Sequence, residues 1–376
     1  MIDSELVVGT GFRITVARDE LSSKLAVVTR AVSTRATVLV LGGIQLRAEA
    51  GKLHLAATDM EVSLRGTLDA QVTDEGSVVV PGRLLLDIAR SLPEGEVAIQ
   101  HLPEEAVVVV TAGAANYRLH TYSSEDFPRL PEIDGSSLHA IDREALVDTV
   151  ARVGRSASRD ESRPVLTGIL VRFEPGKVVM AATDSYRLAV KETAVSGSLP
   201  DLEAIIPARA LQELSRIAGG ADEVQLGVQD NHVVFGVDDT WLTTRRIDGQ
   251  FPNYRQLLPE QFEYEVQLAR DEILDVVRRV SLMAQRNSPI RLRFADGELS
   301  VSAVTQDVGE ARESLPAPFT GDALEIGFNA EFLRDGLESI DSDTVTFKLI
   351  SPLRPAVLEG DSPDYVYLIM PIRLAG

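Results

Sequence analysis

The feature that most constrains this chain is an internal repeat with a spacing of about 125 residues. The segments 43–59 (GIQLRAEAGKLHLAATD) and 168–184 (GILVRFEPGKVVMAATD) agree at ten of seventeen positions without a gap. A third segment, 289–305 (PIRLRFADGELSVSAVT), shares five positions with the second. Each segment has two alternating apolar and polar runs around a Gly-containing turn, which predicts a β-hairpin. The chain therefore contains three copies of one structural unit.

Other landmarks recur in the same order. A strand followed by a helix of about three turns is predicted at 78–92, 204–218 and 325–340, with Pro81 and Pro207 early in the first two helices. An earlier helix opens each copy, at 19–32, 142–159 and 271–286, and each has an Asp near its start.

Two similar linkers close the first and second copies, EDFPRLPE at 125–132 and GQFPNYRQLLPE at 249–260. Each copy has two helices and several strands, which is enough to bury a core of its own. The sequence therefore predicts three α+β domains, at 1–130, 131–256 and 257–376, rather than the short stacked repeats of a solenoid.

The composition excludes several kinds of functional site. The chain has 376 residues, 44% of them hydrophobic, and no cysteine, so disulfides, thiolate metal sites and thiol nucleophiles are excluded. The amino-terminal residues lack a basic stretch followed by an apolar one, and no apolar run is long enough to cross a membrane, so we expect a cytoplasmic protein. The net charge of −20 is unusual for a protein that binds nucleic acid by neutralising phosphates.

Basic residues recur on the helices at the side opposite the apolar stripe. At about 100° per residue, the helix after Pro81 is predicted to bury Leu84, Ile88 and Leu92 and to expose Arg83 and Arg90. One basic helix face is ordinary, but five helices with matching arginines in an acidic protein suggest a segregated positive surface. The residues predicted for this surface are Lys24, Arg30, Arg35, Arg83, Arg90, Arg152, Arg155, Arg159, Arg209, Arg216, Arg279 and Arg286. The third copy departs from the pattern, with Glu331 and Glu338 at the positions of arginines in the other two.

The sequence contains no catalytic constellation. The five histidines are scattered without metal-ligand spacing, and no nucleophile elbow, phosphate-binding loop or dinucleotide fingerprint occurs. The Thr-Asp pairs at 58–59 and 183–184 occupy equivalent repeat positions and are interpreted as hairpin ends. We therefore expect no catalytic residues, no metal site and no cofactor.

These residues resemble the bacterial sliding clamp family, the beta subunit of DNA polymerase III. The motifs that carry the resemblance are AATDSYRL (181–188), FPNYRQLLP (251–259) and LIMPIRL (368–374). The resemblance implies a head-to-tail homodimer whose six similar modules form a closed ring around duplex DNA. Such a ring binds DNA without reading its sequence and acts as a processivity factor. Polymerase or exonuclease activity would then belong only to the associated holoenzyme.

The resemblance also implies a pocket for short linear peptides of the polymerase III alpha subunit, the clamp loader, and repair and translesion polymerases. The positions carried over are Arg163, Leu166, Thr183, Ser185, Tyr186, Arg187, Leu188, Pro252, Leu257, Asn329, Phe332, Leu353, Pro355, Leu368, Ile369, Met370, Pro371, Ile372, Arg373 and Leu374. Leu188, Leu257, Leu353 and Met370 would form its apolar surface, and Met370 supplies adaptability. We expect Tyr186, Arg187 and Asn329 to bind the peptide by hydrogen bonds.

For the dimer seam, the resemblance implies that the strand at 107–122 is an edge strand that pairs with the third domain of a second copy. Tyr117 and Leu119 would then contact Ser281 and Leu282. The alternative is an acidic scaffold that binds partner peptides without encircling DNA. The two differ in one property, because only a ring is retained on circular DNA and lost from free DNA ends.

Overall fold

The computed structural model describes residues 12–33, 38–133, 135, 138–197, 199–229, 231–284 and 288–374. The chain forms two compact units, one from residues 1–143 and 213–246 and the other from residues 144–212 and 247–376. Three tandem α+β repeats, each with two main helices and antiparallel sheets, make up these units, as the sequence predicts.

The first repeat begins with a strand that leads directly into a helix. Its elements are β1 (Arg13–Ala17), α1 (Arg18–Val28), β2 (Gly43–Glu49), β3 (Lys52–Thr58), β4 (Val62–Asp69), β5 (Gln71–Asp74), β6 (Gly76–Pro81), α2 (Gly82–Ser91), β7 (Glu96–Leu102), β8 (Val107–Ala112) and β9 (Ala115–His120). Helix α1 buries Leu21, Leu25 and Val28, which recur at helical spacing.

The second repeat follows the same order. Its elements are β10 (Leu138–Asp142), α3 (Arg143–Gly154), the short α4 (Pro164–Thr167), β11 (Gly168–Glu174), β12 (Lys177–Thr183), β13 (Arg187–Ala194), β14 (Glu203–Pro207), α5 (Ala208–Ile217), β15 (Glu223–Gln229), β16 (His232–Val237) and β17 (Thr240–Arg245). A 3-10 turn at Tyr254–Leu257 lies in the linker that leads to the third repeat.

The third repeat completes the series. Its elements are β18 (Tyr264–Ala269), α6 (Arg270–Val280), β19 (Ile290–Ala295), β20 (Glu298–Thr305), β21 (Gly309–Pro316), β22 (Leu324–Phe328), α7 (Ala330–Ser339), β23 (Thr344–Leu349), β24 (Ala356–Glu359) and β25 (Tyr365–Ile369). Helix α6 packs on α7 and on β20 and β21.

Strand pairing joins the repeats within each unit. In the first unit one sheet has the order β10-β15-β16-β17-β4-β3-β2-β6, so β17 of the second repeat pairs with β4 of the first. In the second unit a sheet of order β14-β11-β12-β13-β25-β24-β23-β18 pairs β25 of the third repeat with β13 of the second. Two further sheets, β5-β1-β7-β8-β9 and β21-β20-β19-β22, lie one in each unit.

Several predicted boundaries are wrong in an informative way. The helices predicted at 19–32, 142–159 and 271–286 end earlier, at Val28, Gly154 and Val280. The first and last continue as 3-10 turns at Thr29–Ala31 and Ser281–Met283. The apolar pattern therefore extends beyond the α-helical residues, because a 3-10 turn continues the chain in nearly the same direction with a different hydrogen-bond spacing.

Two single-residue predictions are also wrong. Pro81 and Pro207 end strands β6 and β14, so they precede their helices instead of lying inside them. Leu84 is 50% exposed, whereas Leu85, Ile88 and Ala89 are buried. A shift of the buried stripe by one position accounts for the difference, since both Leu84 and Leu85 are apolar and the periodic pattern permits either.

Gly336 provides a test of the packing between α7 and β25. A Cβ at this position would lie 2.5 Å from Cε1 of Tyr367, which is fully buried and donates from its hydroxyl to the Phe332 carbonyl at 2.8 Å. We expect Gly336→Ala to lower the free energy of unfolding by about 1–2 kcal/mol, because overpacking outweighs the gain in helix propensity of roughly 1 kcal/mol. Urea denaturation measures the change.

The matched control is Gly42→Ala, since a Cβ on Gly42 would meet nothing within 4 Å. Its unfolding free energy should stay within about 0.5 kcal/mol of the parent protein. Equal stability of both variants would contradict the packing described for Gly336.

Candidate functional site

The predicted pocket begins at the tip of the β12–β13 hairpin. The Asp184 carboxylate accepts hydrogen bonds from the backbone N–H of Tyr186 at 2.9 Å and of Arg187 at 3.0 Å. Ser185 adopts a left-handed backbone with φ of 80°, and its N–H donates to the Thr183 hydroxyl. This tight turn leaves Tyr186 61% exposed. The Thr-Asp pair is thus a hairpin end, and Asp59 accepts the equivalent bonds in the first repeat.

The carboxy-terminal segment lies against this tip. Strand β25 pairs with β13, and the N–H of Met370 donates to the Tyr186 carbonyl at 2.8 Å. Two residues further on, the N–H of Ile372 donates to the Gly327 carbonyl at 2.7 Å. The LIMPIRL motif is therefore fixed by backbone bonds on both sides, and its side chains have defined positions beside Tyr186.

Large apolar side chains are exposed around this segment. Tyr186, Leu257, Leu353 and Met370 are 61%, 50%, 59% and 40% exposed. Leu353 and Pro355 precede β24, whose first residue Ala356 pairs with Ile369, so they lie at the same end of the sheet as Met370. Exposed apolar residues grouped in this way are typical of a binding site. Leu188 and Leu368 differ, because both are buried in a core cluster with Tyr254.

Arg187 has internal partners. It is 5% exposed, and its guanidinium donates to Asp184 at 3.0 Å, to Asp335 at 2.6 Å and to the Arg155 carbonyl at 2.5 Å. It also lies 4.2 Å from the Phe332 ring centroid. Burial acts to lower the pKa of Arg187, but contacts with Tyr367, Asp335 and Asp184 outweigh it and raise that pKa. The guanidinium therefore connects the β12–β13 hairpin to α7 and to the residue after α3, and it is not exposed in the pocket.

The other polar pocket residues also act on the chain itself. The Asn329 side chain accepts from the Phe332 N–H at 3.0 Å and caps α7, and Arg163 donates to the Ser185 hydroxyl at 3.2 Å. Arg187 is thus engaged within the chain, whereas the cap uses only the side-chain oxygen of the half-buried Asn329, and its predicted hydrogen bond to a peptide stays a prediction. Leu166, Pro252, Pro371 and Arg373 are half-buried or exposed, as a pocket rim requires.

The basic residues of the first unit lie at the surface near the helices. Arg83 and Arg90 are exposed on α2 and form no ion pair with another residue that the structure describes. Arg30 and Arg216 both pair with Glu213, which is 8% exposed. Lys24 is half-buried, with its Nζ 3.5 Å from the Thr240 hydroxyl.

In the second unit several predicted basic residues are already neutralised. Arg152 pairs with Asp148 and Asp341 at 2.7 and 2.8 Å, and Arg279 pairs with Glu313 at 2.7 Å. Arg155 and Arg159 lie beyond the end of α3, so their predicted place on that helix is wrong. Both are exposed, as is Arg209, which has a partner of its own. Arg35 and Arg286 lie outside the described residues.

Glu338, at a position where the other repeats have arginine, completes an ionic cluster. Its carboxylate accepts from Arg155 at 2.5 Å and from Arg278 at 2.9 Å. Asp335, one turn earlier on α7, pairs with Arg187 and Arg155. Asp335 and Arg278 were not predicted from the sequence, although two acidic residues three apart on a helix that also carries pocket residues, Asp335 and Glu338, were a usable signal.

The predicted seam residues have different environments. Tyr117 on β9 is 38% exposed and Leu282 is 82% exposed, whereas Ser281 is half-buried and Leu119 is buried at 2% exposure. Val304 and Val308, which flank the start of β21, are 54% and 59% exposed. No group of three or more candidate metal ligands occurs among the described residues, and none of the described helices is long and apolar enough to cross a membrane.

Family comparisons match this arrangement along the chain. Residues 12–131, 140–253 and 255–373 match the N-terminal, central and C-terminal domains of the DNA polymerase III beta subunit. The chain belongs to the DNA polymerase III beta subunit family. Its relatives include the beta sliding clamp of Streptomyces coelicolor, which is 36% identical over 97% of this chain and 100% of the relative. The beta sliding clamp of Synechococcus elongatus is 33% identical over 95% of this chain and 98% of the relative.

Solved beta subunit structures agree with the fold. The Pseudomonas aeruginosa sliding clamp bound to griselimycin is 30% identical, with a TM-score of 0.88, and covers 97% of this chain and 100% of its own. The Caulobacter crescentus clamp is 28% identical, with a TM-score of 0.90, and the match covers 96% of this chain and 100% of that clamp. The predicted beta subunit family and its three-domain fold are confirmed.

The ionic cluster predicts a pH dependence. Burial acts to raise the pKa of Glu338, but hydrogen bonds from Arg155 and Arg278 outweigh it and lower that pKa. The stabilisation is therefore present above the ordinary carboxyl pKa and is lost as the pH falls through the lowered value. We expect Glu338→Gln to lower the unfolding free energy by about 1 kcal/mol at pH 7, with the difference shrinking as the pH falls below the ordinary carboxyl pKa and vanishing below the lowered one.

Urea denaturation at several pH values measures this difference. Glu331→Gln is the control, because Glu331 is exposed on the same helix and pairs with no other described residue. A Glu338→Gln deficit that persists undiminished in acid would contradict the ionic origin.

Proposed function

We propose that this chain is a DNA sliding clamp, a non-catalytic processivity subunit that encircles duplex DNA and tethers the replicative polymerase. The observation that carries the proposal is the match of all three repeats, in order and along nearly the whole chain, to the three beta subunit domains. We take the domains as 1–130, 131–256 and 257–376 and the site of action as the cytoplasm.

The strand pairing between repeats supports closure with a second copy. Strands β9, β17 and β25 are equivalent, because their first residues, 115, 240 and 365, are spaced by 125. β17 pairs with β4, and β25 pairs with β13. The strand of the third repeat that is equivalent to β4 and β13 is β21. Strand β9 pairs only with β8 and β21 only with β20, so the outer side of each has no partner strand among the described residues. A head-to-tail dimer would supply both missing pairings.

The internal repeat also gives the register of that pairing. Thr240 faces Gly66, and Tyr365 faces Lys191. The residue of β21 at the same hairpin position is Glu313, which pairs with Val301. Ala115 should therefore face Glu313 of the second copy.

In an antiparallel pair, each step forward along β9 corresponds to one step back along β21 of the second copy. Tyr117 should face Ala311 of the second copy, and Arg118 should face Glu310 of the second copy. The last pair has opposite charges, which favours this register. Leu119 is buried in its own unit, so it would contribute mainly through its backbone.

The partner pocket would serve the polymerase III alpha subunit, the clamp loader, and repair and translesion polymerases. Tyr186, Leu257, Leu353 and Met370 offer an apolar surface for the end of a short peptide, and a buried Arg187 holds the hairpin beneath it. Because the exposed side chains are few and one is a flexible Met, the pocket suits several related peptides. Arg83 and Arg90, which have no acidic partner among the described residues, are the strongest candidates for phosphate contacts.

DNA retention discriminates the clamp from an acidic scaffold. The chain would be loaded by purified clamp loader onto a nicked circular plasmid, and half of the sample would then be linearised. We expect the chain to remain on the circles through a high-salt wash and to leave the linear DNA, because topological linkage does not depend on phosphate contacts. Equal retention on both forms would rule out encirclement and favour direct binding or a scaffold.

The seam register can be tested by disulfide cross-linking, since the chain has no cysteine of its own. Side chains directly opposite in an antiparallel pair have Cβ atoms about 4.5–5.5 Å apart, close to the disulfide range. We expect the double variant Tyr117→Cys and Ala311→Cys to form a covalent dimer on oxidation, as seen on a non-reducing gel. Tyr117→Cys with Glu310→Cys is the control, because a shift of one residue points the side chains to opposite faces. Efficient cross-linking of the control alone would refute the register.

A further inference from the structure

The first unit contains a cleft of about 900 Å³ that the proposed function does not use. Its floor is the central part of the sheet, and its wall is formed by linker residues 124, 125, 127–130 and 132. A Cβ on Gly66 would meet Lys24 and Val28 of α1, so Gly66 faces that helix. Arg65 therefore lies on the opposite face of the sheet, which is the face that the cleft opens onto.

A row of four side chains crosses the floor from strand to strand. Gln45 faces Ala56, Ala56 faces Arg65, and Arg65 faces Trp241. The equivalent row in the second unit is Leu170, Ala181, Val190 and Val366, joined by the same pairings. The same place in the repeat is thus apolar in the second unit and polar in the first.

The linkers explain why this place is filled by a side chain in the second unit. FPNYRQLLPE (251–260) is four residues longer than FPRLPE (127–132), and the extra residues form the 3-10 turn at Tyr254–Leu257. Tyr254 from that turn is 6% exposed and packs on Leu170, Val179, Val190 and Leu368 as part of one core cluster. The first linker is shorter, and its Leu130 packs with Ala56 against the cluster of Val40, Val79 and Phe127, while the cleft beside Arg65 stays open.

Three arginines, Arg47, Arg65 and Arg129, and three glutamates, Glu49, Glu125 and Glu132, line the cleft, so the case for a carboxylate ligand rests on the surroundings of Arg65 alone. Arg65 is largely withdrawn from solvent, and burial lowers its pKa. Glu132 attracts the guanidinium and opposes that lowering of the pKa, but no described carboxylate pairs with Arg65 within 4 Å, and its Nη2 donates to the Pro131 carbonyl at 2.6 Å. Arg47 differs, because it pairs with Glu49. The guanidinium of Arg65 is half-buried and held at one donor, and its other donors form a fork that suits a carboxylate.

Trp241 supplies a surface for a ring. It lines the cleft and lies over Gly236, since a Cβ there would come within 2.6 Å of the indole. His54 also lines the cleft, with its Nδ1 3.0 Å from the Thr67 hydroxyl. The floor thus combines an aromatic surface with polar groups where the second unit has aliphatic ones.

We propose that this cleft binds a peptide of a partner protein that inserts an aromatic side chain next to a carboxylate. The ring would occupy the position that Tyr254 fills in the second unit and would contact Trp241, and the carboxylate would bind Arg65. The competing interpretation is that Arg65 only holds the linker through the Pro131 carbonyl. That interpretation predicts no ligand.

The chain carries its own reporter, because Trp241 is its single tryptophan. The probe is the capped peptide Ac-Glu-Asp-Tyr-Glu-Leu-NH2, titrated into the full-length protein while tryptophan emission is recorded. We expect saturable quenching or a spectral shift. Peptides in which the tyrosine is replaced by alanine, or the acids by their amides, should bind at least tenfold more weakly to the unaltered protein.

Variants locate the binding on the protein. Gln45→Leu with Arg65→Val reproduces the lining of the second unit and should weaken the peptide at least tenfold, with a urea unfolding curve confirming that the protein is folded. Arg255→Gln, which removes an exposed arginine near Tyr254, and Met370→Ala, in the partner pocket, should leave the titration unchanged. No change in Trp241 emission at millimolar peptide, or equal responses to the tyrosine and alanine peptides, would overturn the proposal without affecting the clamp function.

Discussion

Backbone pairing between edge strands of successive repeats is the interaction on which this architecture depends. A strand at a sheet edge presents unpaired N–H and C=O groups, and another strand is the natural partner. Here β17 satisfies the edge of β4, and β25 satisfies the edge of β13. Two eight-stranded sheets result, and each contains strands of two repeats. The same requirement, applied to β9 and β21, is the physical reason to expect a second copy of the chain.

Charge has a local role beside this pairing. In the first unit, Glu213 on α5 pairs with Arg30, which follows α1. In the second unit, Asp335 and Glu338 on α7 pair with Arg155, which follows α3. Both units thus pair a carboxylate on one helix with an arginine just after another. These pairs use arginines that the sequence alone assigns to a DNA-facing surface. The net charge of −20 therefore includes acids that fix basic side chains in place. Such pairing leaves fewer unneutralised arginines, which suits a protein that must slide on DNA without binding it tightly.

Equivalent positions of the repeats carry different side chains on a shared backbone, as two places show. Arg65 and Val190 occupy the same place on equivalent strands, yet one lines a cleft and the other a closed core. The hairpin tips also differ, with Met60 and Ser185 in the same left-handed conformation but only the second tip followed by an exposed Tyr186. A shared backbone thus carries distinct surfaces, because side chains facing away from the core are free to change.

The sequence by itself determined the threefold repeat, the hairpins, the order of strands and helices, and the family, because periodicity and repeated motifs are local properties of the chain. It could not fix where helices end or which of Leu84 and Leu85 is buried, since neighbouring apolar residues satisfy the same pattern. Only the tertiary structure decided that Arg187 is buried against Asp335 and that Arg152 is paired with Asp341. Those partners lie 148 and 189 residues away in the chain, and a pattern of local spacing contains no information about contacts over such separations.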